Sequence, residues 1–306
     1  MITLLLSKQI FQLYLIMACG YFAVRSGLLK SGDSRTISVL LVYIVVPCTV
    51  LNAFQIDFTP ETAKNFLLSV IAGIILHFLL FVFVGLSGKI FRYTPIEKAS
   101  LIYSNAGNLI IPLVTAVLGE EWVIYASGFM LVQQFLFWSH GKILIQGIKK
   151  VEPAHFLKNI NLLSCFAGLI LFLLRIRMPS IIGDTMHSIA SLIGPLSMLM
   201  LGMILAGTNI RKMITRRIWL VAFFKMVVQP ALLVLVLKYS GLAGFSPDGT
   251  MILFISLLAD MAPSATSVTQ LAQLYDREAP YALAINTITT AACLVTMPLM
   301  TALYYM

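Results

Sequence analysis

The chain has 306 residues, of which 59% are hydrophobic and only 11% charged, a balance that a soluble domain of this length cannot carry without aggregating. In so apolar a chain the net charge of +9 points to basic loops flanking a membrane, not to a nucleic-acid partner. The four cysteines, Cys19, Cys48, Cys165 and Cys293, sit singly in apolar runs without CxxC or Cys/His spacing. That pattern indicates neither a disulfide framework nor a zinc site, and they are expected as small core hydrophobes.

Apolar windows of about twenty residues, bounded by charges or turn clusters, predict ten membrane-spanning helices. Their limits fall near residues 7–24, 35–55, 66–88, 96–118, 122–144, 156–175, 186–208, 216–238, 249–271 and 280–303. The first is expected to be retained, because Lys8 follows the apolar run Leu4 to Leu6 and no small-residue cleavage box is present. Connections are short, which leaves no room for a separate soluble domain. Counted over alternate loops, Lys and Arg number fifteen on one side and five on the other. The basic side is predicted to be cytoplasmic, with both termini outside a cell membrane.

The fourth span carries Ser104 to Leu113, SNAGNLIIPL, with two asparagines, a glycine and a proline in the middle of an apolar segment. Irregular backbone survives at that depth only where it lines a protein cavity, so this stretch is predicted to line a site. The ninth span repeats the device in Leu258 to Ser267, LADMAPSATS. Pro47 and Pro195 are 148 residues apart, and Pro112 and Pro263 are 151 apart. Two landmark pairs at nearly one offset predict an all-α membrane protein of two inverted five-helix repeats, residues 1–150 and 151–306, whose broken fourth and ninth helices cross near the midplane.

A proline after an unwound turn starts a helix well, so half-helices are expected to begin near Pro112 and Pro263 and to aim free N–H groups into the cavity. Such ends attract anions, carboxylates especially. Asn105 and Asn108 on one strand of the crossing, and Ser264, Thr266 and Ser267 on the other, supply uncharged donors for a carboxylate substrate. In membranes the same residue types also serve as inter-helical glue.

Three ionisable side chains lie far from any loop: His77, Lys225 and Asp260. At ~1.5 Å per residue, Lys225 lies roughly 15 Å into its span, and the other two are about as deep. Charges at that depth are costly and mark function by default. Either Asp260 and Lys225 neutralise one another, or Asp260 binds a coupling proton or Na+; a static pair holding helices together is the third reading. His77 and Lys225, also 148 apart, are symmetry mates in the repeat. Gln133 and Asn286, with Gln134, are polar positions inside the fifth and tenth spans that either complete an ion or substrate shell or bond neighbouring helices. Phe135, Phe137 and Trp138 are expected to form an interfacial aromatic belt.

These stretches carry a resemblance. SNAGNLIIPL, the glycine and two acids at Gly119 to Glu121, FWSHG at Phe137 to Gly141, and ADMAPSATSVTQLAQLY at Ala259 to Tyr275 resemble the auxin efflux carrier family. The resemblance spans nearly the whole chain. It implies a scaffold of spans one, two, six and seven, a moving transport domain of spans three to five and eight to ten, and an elevator-type mechanism for small organic anions. It further implies a homodimer through the scaffold, with Asn105 and the prolines Pro112 and Pro263 as the family's crossover residues. Ile110 stands where that family usually has a glycine, Asp260 is unlike plant members, and the long loop of many plant carriers is reduced to residues 146–155, which together imply a bacterial or short-form member. No GxSxG, HExxH or paired intramembrane aspartate marks an enzyme, and no charge ring marks a channel. The alternative to a carrier is a membrane sensor that binds the same ligand without flux. Lipid is the only other expected partner, and no cofactor is expected beyond a coupling ion.

Overall fold

Backbone that cannot hydrogen-bond to water must satisfy itself locally, and helices dominate the chain accordingly. The computed structural model describes residues 2–55, 60–119, 122–148, 160–207, 209 and 215–306. Glu120, Glu121, the linker with Lys149, Lys150 and Lys158, and the loop residues Arg211 and Lys212 lie outside the described residues. Helix α1 is Ile2–Arg25 and α2 runs Ser34–Leu40, through a π-helical turn Leu41–Val45, to Val46–Ala53. Helix α3 is Pro60–Phe91; α4, Pro95–Ile102, and α5, Ala106–Leu118, are two halves of one interrupted path. Helix α6 runs Val123–Leu136, through a π-helical turn Phe137–Gly141, to Lys142–Gln146. Then come α7 (Ile160–Leu173), α8 (Ser180–Ala190) and α9 (Ile193–Ala206). Helix α10 runs Arg216–Phe223, through a π-helical turn Phe224–Val228, to Gln229–Tyr239. The second interrupted path is α11 (Gly249–Met261) and α12 (Thr266–Leu274), and α13 is Ala279–Tyr305.

Among the described residues, five helical stretches are long and apolar enough to cross a membrane: Ser31–Asn52, Ala63–Phe91, Ser180–Ala206, Arg216–Tyr239 and Ala279–Tyr305. Two of the π-helical turns have a local cause. Pro47 and Pro230 each remove an N–H and crowd the carbonyl four residues earlier, Tyr43 and Met226, and each of those lies inside a π-helical turn.

The interior divides into clusters that follow the helices. Met17, Leu41, Val45, Met200, Leu201 and Ile204 form one small core among α1, α2 and α9. Leu76, Leu109, Phe129, Val234, Ile255 and Met297 belong to a larger one among α3, α5, α6, α10, α11 and α13. Helices α1 and α9 make the most extensive pairing. Their backbones touch through glycine: a Cβ at Gly202 would overlap the Met17 carbonyl oxygen, and one at Gly20 the Leu199 carbonyl oxygen. Small residues that admit close backbone contact are how membrane helices associate where lipid is as apolar as leucine. Outer faces carry exposed Phe78, Leu86, Ile90, Leu173 and Leu299, as a lipid-facing surface requires.

Two expectations are corrected here. Phe137 and Trp138 are buried, not interfacial; Phe137 packs edge-on to Tyr103, and the Trp138 indole N–H donates to Gln134 at 2.9 Å. In a window apolar on every face, sequence cannot say which aromatic turns inward. Cys293 is buried as expected, but Cys19 is exposed on the outer face of α1.

Candidate functional site at the crossing of two interrupted helices

The start of α4 is written in its sequence. Thr94 caps it, with the Glu97 N–H donating to Thr94 Oγ1 at 3.3 Å and the Thr94 N–H to Glu97 Oε2 at 2.7 Å, and Pro95 occupies the first turn. The helix stops at Tyr103, which is extended (φ −101°, ψ 129°). On the other path Pro263 disfavours helical backbone at Ala262, which adopts φ −59°, ψ 154° and ends α11.

The two unwound stretches meet in an antiparallel bridge between Ser104 and Ser264. The Asn105 N–H donates to Pro263 O at 2.7 Å and the Ala265 N–H donates to Tyr103 O at 3.0 Å. Side chains from neighbouring helices satisfy what the bridge leaves over. Gln133 acts on the first strand: its Oε1 accepts from both the N–H and the hydroxyl of Ser104 at 2.9 Å, and its Nε2 donates to Ser104 O at 2.9 Å. On the second strand Asn286 Nδ2 donates to Ser264 O at 2.5 Å, and Thr289 Oγ1 accepts from the Ser264 N–H at 3.2 Å. The Ser104 hydroxyl shares its one proton between Gln133 Oε1 and the nearer Ala259 O at 2.7 Å, joining the two paths once more. Gln133 and Asn286 thus hold the crossing together through backbone groups that would otherwise be stranded.

Beside the crossing lies a polar cavity lined by Tyr103, Asn105, Gly107, Gln134, Thr266 and Ser267 among others. Gly107, Thr266 and Ser267 belong to the first turns of α5 and α12, where helix geometry leaves N–H groups without intrahelical acceptors. Both positive helix ends therefore open on one cavity. Its described lining contains no Lys, Arg or His. Asn105 is shared with a second, less polar space of about 300 Å³ toward α1, α9 and α13, lined by Tyr14, Met17, Met198 and Thr290 among others. A larger recess beside His77 is walled by Phe78, Phe81, Phe135 and Phe166 and has almost no polar surface. It offers nothing to hold an anion.

Of the residues expected to bind substrate, Asn105, Thr266 and Ser267 line the cavity, while Pro263 and the buried Ser264 contribute backbone to the bridge. Asn108 and Pro112 lie on α5, and their side chains are outside the described residues. One expectation needs correction: the break falls at residues 103–105 and not at Pro112, which sits inside α5. The register of the bridge fixes where the helix resumes, and Pro112 falls six residues after the first of α5, where membrane helices tolerate proline.

The buried charges stand apart from that cavity. The Lys225 ammonium, on the π-helical turn of α10, donates to Leu101 O at 3.2 Å in the last turn of α4. Asp260, in the last turn of α11, is within electrostatic range of Lys225, yet neither carboxylate oxygen accepts a hydrogen bond among the described residues. The expected Asp260–Lys225 neutralisation is therefore through space and not a contact pair. His77 Nδ1 sits 2.8 Å from Gly73 O, and its ring packs on Phe129 at 4.9 Å. The sequence did not mark Tyr103 or Thr289, and it marked Ser104 and Phe137 only as the start of the crossover stretch and as an interfacial aromatic. Ser104 lay inside the quoted crossover stretch and Thr289 one turn beyond Asn286, so position alone was the available signal.

Residues 5–158 and 148–301 both match the profile of the Mem_trans family, described as membrane transport protein. The chain belongs to that family. It is the family of the auxin efflux carriers, which the two crossover stretches resemble, and the membrane transport protein described above has its apolar outer faces accordingly. No curated protein matches the chain.

Proposed function

We propose that this membrane transport protein is a secondary carrier of small organic anions, with the substrate carboxylate held at the crossing by the first turns of α5 and α12. The observation that carries the reading is the convergence of two helix N-termini on a polar cavity whose described lining holds no fixed cation. A carboxylate there receives backbone N–H donors and helix-dipole stabilisation without an ion pair, which favours binding that is reversible enough for release. Asn105, Thr266 and Ser267 supply side-chain donors, and Gln133 and Asn286 hold the donors in place.

Transport in this reading is of the elevator type. Helices α3, α5, α6, α10, α11 and α13 share the larger core, and with α4 and α12 they move as a body against α1, α2, α7, α8 and α9, carrying the crossing with them. The landmark offsets of 148 and 151 residues and the antiparallel bridge support two inverted repeats behind that geometry. The basic loops support termini on the outer side of a cell membrane, and the family resemblance supports a homodimer through the scaffold.

Counterflow of radiolabelled monocarboxylates and dicarboxylates in proteoliposomes tests the reading. Accumulation of label against unlabelled substrate, lost in Asn105→Ala, is expected. Saturable binding without any exchange identifies a sensor and rejects the carrier.

A further inference from the structure

The four helix ends at the crossing divide by sign. The N-termini of α5 and α12 face the substrate cavity, whereas the C-termini of α4 and α11 carry Leu101 and Asp260. A carboxylate in the last turn of its own helix is unfavourably placed, because the carbonyl end is already negative. Asp260 is 1% exposed, and both its oxygens are without a hydrogen-bond donor among the described residues. Two further oxygen-bearing side chains are buried without partners among the described residues. The Gln229 amide, one turn along α10 from Lys225, and the Ser264 hydroxyl, next to the bridge, are both buried without partners. A buried carboxylate at a helix C-terminus with no donor demands a positive charge.

One is already there. The Lys225 ammonium is 1% exposed, capped by the Leu101 carbonyl at 3.2 Å, and close enough for its charge to act on Asp260. A metal ion and an ammonium in the same low-dielectric surroundings repel strongly, so Asp260 accommodates one of them as its counterion.

We propose that Lys225 is a tethered counterion that stands where a cotransported cation would be needed, so that the carrier works without Na+, and that removing it exposes a latent Na+ site at Asp260. The proposal rests on reading the crossing as the transport site. Lys225 then travels with Asp260 through the cycle, and no cation is taken up or released at this position.

The test uses the purified full-length protein, with Tm measured in the chlorides of Na+, Li+, K+ and choline at equal ionic strength. Wild type is expected to give one Tm in all four. Lys225→Ala is expected to gain a saturable rise of about 5 °C with Na+ or Li+ over choline at concentrations well above Kd. The double variant Lys225→Ala/Asp260→Asn is expected to lose it. A wild-type Tm that rises with Na+ and no longer does so in Asp260→Asn overturns the proposal, as does a Lys225→Ala protein indifferent to every metal cation. Should Lys225→Ala be unstable, recovery of folded protein only when it is purified in Na+ or Li+ supports the latent site, and failure in every cation overturns it. Carboxylate exchange separates this inference from the reading beneath it. Exchange that stops when choline replaces Na+ contradicts the tethered counterion and leaves the anion site standing. The predicted cation behaviour without exchange of any carboxylate contradicts the anion site alone.

Discussion

Replacing Gln133 by leucine tests whether the crossing is held by side-chain amides. The substitution keeps the volume and removes two hydrogen bonds to backbone, those to the N–H and C=O of Ser104, with one of the two acceptors between which its hydroxyl shares a proton. The hydroxyl keeps its bond to Ala259 O, so two backbone groups are left stranded in a buried position. Each stranded group is destabilising by about 1–3 kcal/mol. Hydrogen bonds between membrane helices measure lower, about 0.6 kcal/mol on average, because the unfolded segments find other partners. Balancing the two, the expected loss is about 2–4 kcal/mol, which at about 2 °C per kcal/mol for a chain of this size lowers Tm by roughly 4–8 °C. Gln133→Glu is the control: in its neutral form the carboxyl still accepts from the Ser104 N–H and donates its O–H to the Ser104 carbonyl, so no more than about half of that loss is expected. The assay is thermal unfolding in detergent alongside carboxylate exchange in proteoliposomes. A Gln133→Leu protein whose Tm stays within about 1 °C of wild type refutes the reasoning, since a stranded pair of backbone groups cannot be that cheap.

Asn105→Ala retains the backbone N–H that pairs with Pro263 and so should leave Tm nearly unchanged, while weakening carboxylate binding in a titration about tenfold, or ~1.4 kcal/mol. An unchanged Kd would remove Asn105 from the site. At the basic end of the helices, the fully buried Glu97 accepts from Arg217 Nε at 2.6 Å, Arg217 Nη2 at 2.7 Å and the Tyr281 hydroxyl at 2.6 Å. Because the Arg217 side chain is one-third exposed, Glu97→Gln is expected to lower stability by about 2 kcal/mol, below the 3–5 typical of a fully buried pair, as read from Tm. Gly202→Leu should force α1 and α9 apart, lowering stability by about 3 kcal/mol or more, whereas Gly194→Ala, where a Cβ meets open space, should not. Equal yields and equal Tm for both glycine variants would contradict the close packing.

Much of the fold was legible because apolar windows end where charges begin. The predicted tenth span, 280–303, became Ala279–Tyr305, and the third, 66–88, became Pro60–Phe91. The crossing was legible too, since Asn105, Gly107 and Pro263 have no business in a lipid-facing rod. The place of the first break was not. Pro112 is the strongest local breaker in its span, but the bridge to Ser264 sets the register, and a long-range pairing leaves no mark in the local sequence. The same holds for Gln133 and Asn286, visible as polar residues in apolar helices but not as clamps on particular peptide groups. Lys225 and Asp260 were visible as buried charges. That Lys225 instead bonds Leu101 depends on the π-helical turn at Phe224–Val228, which periodicity alone does not reveal.

The central claim, a carboxylate held by two converging helix N-termini, is tested most directly by diffraction from crystals soaked in a brominated aryl carboxylate. The account predicts an anomalous bromine peak beside the crossing, with carboxylate density against Asn105, Thr266 and Ser267. A peak confined to the apolar recess beside His77, with the crossing empty, would contradict it.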